Sequence, residues 1–188
     1  MDNTKKIIKT IVRVVFFNDL ALWLGSSLYG YFHRASHLYY EKKVKNRYNI
    51  HPSVRWADGT TMYGGGSITI GEQTYFGNNC YVVSYPEEAK VAIGKYCAIA
   101  HNVHIRTSNY ARIPEFKDAF NMPSEWADIT IGDYCWIGSH VYINAGVVIG
   151  ENSIIGANSV VTHDVEPNSV VGGVPARLIH KKTAYQPK

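Results

Sequence analysis

From Ile131 to Glu166 the chain reads in sixes: IGDYCW, IGSHVY, INAGVV, IGENSI, IGANSV and VTHDVE. Positions 131, 137, 143, 149, 155 and 161 are all Ile or Val; the next residue is usually Gly, and the fifth place holds Cys, Val or Ser. Such a rhythm describes a coil of short parallel strands, because each turn can bury its inward aliphatic only against the turns above and below. The first place fills the interior, and the fifth lies near a corner where a bulky side chain would clash. Three hexads, or 18 residues, make one turn of a parallel β-helix with three flat sides. The pattern leaves the hand of the coil open, and the usual rule for parallel crossovers favours the right-handed form.

Three motifs accompany the repeat: the W-I-G hexad at Trp136, the V-x-x-D-V segment at 161–165 and GGVPAR at 172–177. With them the chain resembles the hexapeptide-repeat acyltransferases, in the sugar and xenobiotic O-acetyltransferase branch, over roughly residues 50 to 182. The resemblance implies an all-β fold, a left-handed parallel β-helix, working as a homotrimer. It also implies acetyl-CoA as acyl donor, bound in a groove between the coils of adjacent subunits that a long loop of one subunit helps to close.

Length and charge agree with this. A chain of 188 residues with 46% hydrophobic residues fills one core. A net charge of +4 is compatible with a phosphorylated ligand or an anionic surface and too weak to argue for nucleic acid. Cys80, Cys97 and Cys135 all stand at fifth places, which makes them small core residues, and their odd number fits a reducing compartment.

Residues 1–49 have another texture and are read as an N-terminal helical segment. Lys5, Lys9 and Arg13 fall four apart, beside Ile7, Ile8, Ile11, Val12, Val15 and Phe16, which spells a basic amphipathic helix. Asn18 and Asp19 offer a cap for a second helix that continues toward Tyr40, ahead of the basic cluster Lys42, Lys43, Lys45 and Arg47, with Gly25 and Gly30 weakening it. Arg13, Asn18 and Asp19 interrupt the apolar run, so it is no membrane span, and no A-x-A-like site marks a signal peptide. Two readings stand: peripheral contact with an anionic membrane, or a helical hairpin packed on the coil or between subunits.

The coil begins irregularly at His51, enters clear register at Ile70 and bulges at Ser84–Ala89. It is broken by a long loop excursion at about 107–128, where Pro114, Pro123, two Phe and a Trp suit ordered structure. Gly172, Gly173 and Pro175 turn the chain out of the coil into a basic exit strand or short helix, followed by a tail at 183–188. Lys182 is read as part of a solvated basic end.

Acetyl transfer to a hydroxyl needs a base, an oxyanion donor and a groove for the carrier. In the enzymes the chain resembles, the base is a His in the long loop. The matching position here holds Tyr110, and residues 105–139 contain no His. Tyrosine is a poor base at neutral pH. The expectation therefore moves to His104, which precedes inward Ile105 and so lies outside the coil. His101, His140, and Tyr110 with Asn109 or Arg106 beside it are further candidates. For each His the plain alternative is a surface residue on a coil face.

The resemblance assigns Trp136 and Asn79 to the acceptor, Trp136 otherwise being an exposed aromatic in a subunit interface. It places Ser139, Ala157, Thr162 and Arg177 along the coenzyme A arm, with Arg177 and Lys181 meeting its phosphates. One β-helix branch is a zinc enzyme needing three histidines; no H-x4-H spacing occurs here, and no metal is expected.

The function expected is acetyl-CoA-dependent O-acetylation of a sugar hydroxyl in surface polysaccharide biosynthesis, with a small-molecule or lipid-linked acceptor, in the cytoplasm or at the inner face of the membrane. The alternatives are an antibiotic or amino-sugar acceptor, or a catalytically silent coil that binds or scaffolds, which the Tyr110 substitution motivates.

Overall fold

Aliphatics spaced by six do turn inward: Ile131, Ile137, Ile143, Ile149, Ile155 and Val161 are all buried. The computed structural model describes residues 3–16, 19–110 and 124–183, in two compact units, Met1–Lys43 and Val44–Lys188.

The second unit is a parallel β-helix with three faces. The first face stacks β1 (Asn49–Ile50), β4 (Ser67–Ile70), β7 (Lys90–Ile93), β12 (Ile129–Ile131) and β15 (Val148–Ile149). The second stacks β2 (Arg55–Trp56), β5 (Tyr75–Phe76), β8 (Ala98–Ile99), β13 (Trp136–Ile137), β16 (Ile154–Ile155) and β18 (Ser169–Gly172). The third stacks β3 (Thr61–Tyr63), β6 (Tyr81–Val83), β9 (His104–Arg106), β14 (Tyr142–Ile143) and β17 (Val160–Val161). In the uninterrupted turns Trp136 pairs with Ile154 and Tyr142 with Val160, which is the 18-residue turn of the hexad pattern.

The coil starts a full turn before Ile70. Ile50, Trp56 and Met62 fill first places, Val54 and Thr60 fill fifth places, and all are buried. Two extra residues at Gly64–Gly66 hide this turn from the pattern, because Ile50 comes to lie opposite Ile70. Gly64 has to be glycine: its φ is 125°, and a Cβ there would meet the Ser84 carbonyl oxygen at 1.9 Å.

The corners explain the fifth place more fully than size does. At one corner Thr74 Oγ1 donates to Gly94 O (2.8 Å), Cys97 Sγ to Gly132 O (3.2 Å), Cys135 Sγ to Gly150 O (3.3 Å) and Ser153 Oγ to Glu166 O (3.0 Å). Each side chain ties its own turn to the next. The three thiols are free and buried, as core residues should be. Burial raises the Cys80 thiol, and the Cys97 side chain together with burial pushes Cys135 well above the ordinary range.

The N-terminal helices are α1 (Asn3–Phe16) and α2 (Asp19–Arg47). The side chains of Val12, Arg13, Val15 and Phe16 and the expected Asn18 cap lie outside the described residues. α2 does not stop near Tyr40 but runs through Gly25, Gly30 and the basic cluster, since nothing crowds the glycines and Glu41–Arg47 favours helix. Its last turn belongs to the coil unit: Val44 and Tyr48 are buried. There Lys45 Nζ lies over the Trp56 ring at 5.4 Å and donates to Pro52 O and Val54 O, both at 3.0 Å. Among the described residues no helix is long and apolar enough to cross a membrane.

The excursion opens as an antiparallel ribbon of β10 (Ser108–Tyr110) and β11 (Ser124–Trp126), with Ser108 opposite Trp126. Its root is held by buried Thr107, whose Oγ1 donates to Tyr85 O and accepts from Tyr85 N–H, both at 2.9 Å. The tip at 111–123, with Pro114, Pro123 and both Phe, lies outside the described residues. At the far end the exit segment is a strand, β19 (Arg177–Lys181), antiparallel to β18. Lys182 is not a solvated tail: it is half-buried, its Nζ donating to Asn152 O at 2.6 Å and its N–H to Asn168 O at 2.7 Å.

Candidate active site

Parallel strands in register put equivalent outward side chains directly above one another, about 4.8 Å apart. On the third face this builds a column of Tyr81, His104 and Tyr142. The His104 ring stacks on Tyr81 at 4.8 Å and on Tyr142 at 6.2 Å between centroids. The Tyr142 hydroxyl donates to Asn109 Oδ1 at 3.3 Å. His104 and Asn109 are thereby brought into one constellation through Tyr142, which the sequence reading left out. Its signal was present, since Tyr142 precedes inward Ile143 as His104 precedes Ile105.

The three histidines differ in which nitrogen is available. Among the described residues neither ring nitrogen of exposed His104 makes a hydrogen bond. His101 Nδ1 accepts the Asn78 backbone N–H at 2.9 Å, so the neutral ring carries its proton on Nε2 and presents a donor to solvent. His140 sits at a corner with φ 59°, its Nε2 3.4 Å from the Asn102 amide nitrogen. Tyr110 lies opposite Ser124 in the ribbon, and its side chain is outside the described residues. Arg106 is exposed at the end of β9. Among the described residues, His104 is the histidine of this face whose two ring nitrogens are both without a hydrogen bond, and it stands on the face from which the ribbon departs.

Trp136 stands on the second face, 55% exposed, with Ala98 above it and Tyr75 one strand further. Asn79 holds a corner at φ 55°, its amide oxygen lying over Gly59, where a Cβ would come within 2.0 Å of it. Ser139 and Ala157 occupy the same corner in successive turns, joined by Asn158 N–H to Ser139 O at 2.9 Å. The turns approach closely there, since a Cβ on Gly138 would meet the Ala157 nitrogen at 2.6 Å. The GGVPA turn prolongs this corner: Gly173 donates to Ser159 Oγ at 3.0 Å, and Ala176 to Val160 O at 2.8 Å.

The result is an edge of small residues ending at Arg177. Beside it lies a cavity of about 420 Å³ walled by Val161, His163, Val171, Arg177, Leu178 and Lys181, among others. Lys181 Nζ is 2.6 Å from Glu166 Oε2 and holds that carboxyl below the usual carboxylate range. Its charge is therefore already matched, whereas the Arg177 guanidinium donates only to Ala176 O among the described residues. Thr162 is turned to its neighbour, with Oγ1 2.8 Å from His163 Nδ1. Small residues at Ser139, Ala157 and Gly173, and a guanidinium with no acidic partner among the described residues at their end, are what an extended chain carrying phosphates requires. Among the described residues no three His, Cys, Asp or Glu side chains gather around a common point.

Comparison with known proteins falls on the same coil. The family of bacterial transferase hexapeptides (six repeats) matches residues 128–163. A chloramphenicol acetyltransferase of Agrobacterium fabrum is 30% identical over 142 residues, covering 62% of this chain and 68% of that protein. A maltose O-acetyltransferase from Clostridium difficile 630 superposes with a TM-score of 0.62 at 28% identity, over 76% of this chain and 74% of that one. Galactoside acetyltransferase in complex with coenzyme A superposes with a TM-score of 0.58 at 37% identity, over 69% of this chain and 65% of that one.

Proposed function

The chain belongs to the hexapeptide-repeat acetyltransferases, and from that premise we propose that it O-acetylates a hydroxyl of a sugar, with His104 as the base. The family membership makes it an enzyme with a left-handed β-helix that uses acetyl-CoA. The sugar acceptor is supported by the maltose and galactoside specificities named for two similar structures. A polysaccharide or lipid-linked glycan in the cytoplasm or at the inner membrane face is supported by the basic apolar helix α1.

The observation that carries the role of His104 is its imidazole, which makes no hydrogen bond among the described residues and is stacked between Tyr81 and Tyr142, beside the ribbon that leads to the long loop. The thioester supplies an activated acetyl carbon. His104 takes the proton of the attacking hydroxyl as the ester C–O bond forms, and returns it to the sulfur as the C–S bond breaks, so protons balance over one turnover. Tyr81 and Tyr142 fix the plane of the ring, and Asn109 fixes Tyr142. Ser139, Ala157 and Arg177 line the path of the donor, Lys181 and Thr162 flank it, and Trp136 with Asn79 faces the acceptor side. The enzyme works as a homotrimer whose neighbouring coils complete the groove.

Release of free thiol from acetyl-CoA over a panel of sugars tests this reading. We expect His104→Ala to lower kcat by about 10²–10⁴-fold with little change in KM, and His101→Ala to change it far less. Unchanged kcat in His104→Ala would take His104 out of the mechanism, and a solution mass other than three times 21.1 kDa would refute the trimer. The chloramphenicol acetyltransferase relative favours a second reading, with an antibiotic hydroxyl as acceptor. Thiol release with chloramphenicol and with no sugar would establish it.

A further inference from the structure

The first unit has no part in the chemistry above, and its surface is unlike that of the coil. α1 carries Lys5, Lys6, Lys9 and Arg13 and no Asp or Glu between Asn3 and Phe16. Among its described side chains the lysines are exposed, and so are Ile7 (57%), Ile8 (56%) and Ile11 (55%). At 3.6 residues per turn the lysines fall within an arc of roughly 100°, and the isoleucines lie on the other side of the helix. In the same unit α2 exposes Leu22, Trp23, Leu28, Tyr29, Tyr31 and Phe32. Tryptophan and tyrosine favour the zone where headgroups meet acyl chains, because the ring is apolar while its N–H or O–H remains in water.

We propose that α1 docks the enzyme onto an anionic phospholipid bilayer, with Ile7, Ile8 and Ile11 entering the acyl boundary and the lysines at the headgroup phosphates. Charge selects this occupant. A helix lying in the interface gains from apolar burial and from attraction to acidic lipid together, and a face of one sign suits the second. A second copy suits it less well: two α1 helices packed through their isoleucines would bury the apolar side but leave the lysines of both without an anionic partner, since α1 holds no acidic residue. The helix lies on the surface rather than crossing it, since no described helix is long and apolar enough to span. Docking would hold the acetyl-transfer site close to acceptors attached to lipid.

The test uses the full chain and its Lys5→Glu/Lys6→Glu/Lys9→Glu variant in flotation with vesicles of phosphatidylcholine alone or mixed with phosphatidylglycerol. Coenzyme A binding by calorimetry serves as the control for folding, and light scattering reports mass. We expect the unaltered protein to float with phosphatidylglycerol vesicles and not with phosphatidylcholine alone. The variant should bind them roughly tenfold or more weakly with unchanged coenzyme A affinity, and added salt should weaken the unaltered protein. Failure of the unaltered protein to float with anionic vesicles would overturn the proposal, as would equal flotation of the variant. If the substitutions change the mass in solution while neither protein floats, a second copy occupies the helix and the bilayer does not. None of these results bears on His104, which the thiol-release assay tests separately.

Discussion

Cys135 shows what a corner of the coil asks of one residue. It is 1% exposed, follows the corner residue Tyr134, and reaches the Gly150 carbonyl of the next turn at 3.3 Å. Ser153, one turn on, makes the same bond with a hydroxyl, to Glu166 O. Cys135→Ser should therefore keep the bond and lower the unfolding free energy by less than about 1.5 kcal/mol. Cys135→Leu keeps hydrophobicity but adds volume between closely stacked turns, and should cost about 1–3 kcal/mol. Urea denaturation of the two variants measures both, and a leucine variant as stable as the serine one would show that the corner is not size-limited. The raised thiol of Cys135 belongs to the same packing, and a buried thiol held protonated is a structural residue rather than a nucleophile.

At the scale of the hexad, the fourth place carries a constraint of its own in most turns. Gln73, Asn79, Tyr96, Asn102, Tyr134, His140, Asn152 and Asn158 all have φ between 55° and 59°, the left-handed region that turns the chain around these corners. Asn158→Val should destabilise the coil by about 1–2 kcal/mol, because a β-branched side chain strains that backbone, whereas Asn158→Gly should be close to neutral. Thermal melts of both variants check this; valine tolerated as well as glycine would contradict the conformational argument. The first place was legible in the sequence because burial admits few residue types and the rhythm repeats them. The fourth was not, because backbone conformation selects weakly: asparagine, tyrosine, histidine and glutamine all stand there. The same difference runs through the candidate site. His104 could be placed outside the coil from its position before Ile105, but its stacking on Tyr81 and Tyr142 depends on a register of 23 residues above, from Tyr81 to His104, and 38 below, from His104 to Tyr142. Insertions at Ser84–Ala89 and in the excursion set those lengths, and no six-residue rhythm reveals them.

On the scale of the whole molecule, the question is where the coil stops needing the N-terminal segment. The change in texture of the sequence puts the boundary near residue 49, where helix-forming residues end. The packing puts it between Lys43 and Val44. Val44 and Tyr48 are buried, Lys45 lies over Trp56 and donates to Pro52 O and Val54 O, and Tyr48 Oη donates to Gly64 O at 3.0 Å. This single helical turn covers the first turn of the coil, whose Trp56 is only 5% exposed. A chain lacking residues 1–43 should accordingly keep cooperative unfolding and coenzyme A affinity. A chain lacking residues 1–49 loses two buried side chains and should be less stable by about 3 kcal/mol or more, reckoned from burial alone. Calorimetric unfolding of the two truncated chains separates the boundaries. Equal stability would mean that the helical turn contributes nothing to the coil and that the division lies at residue 49 after all.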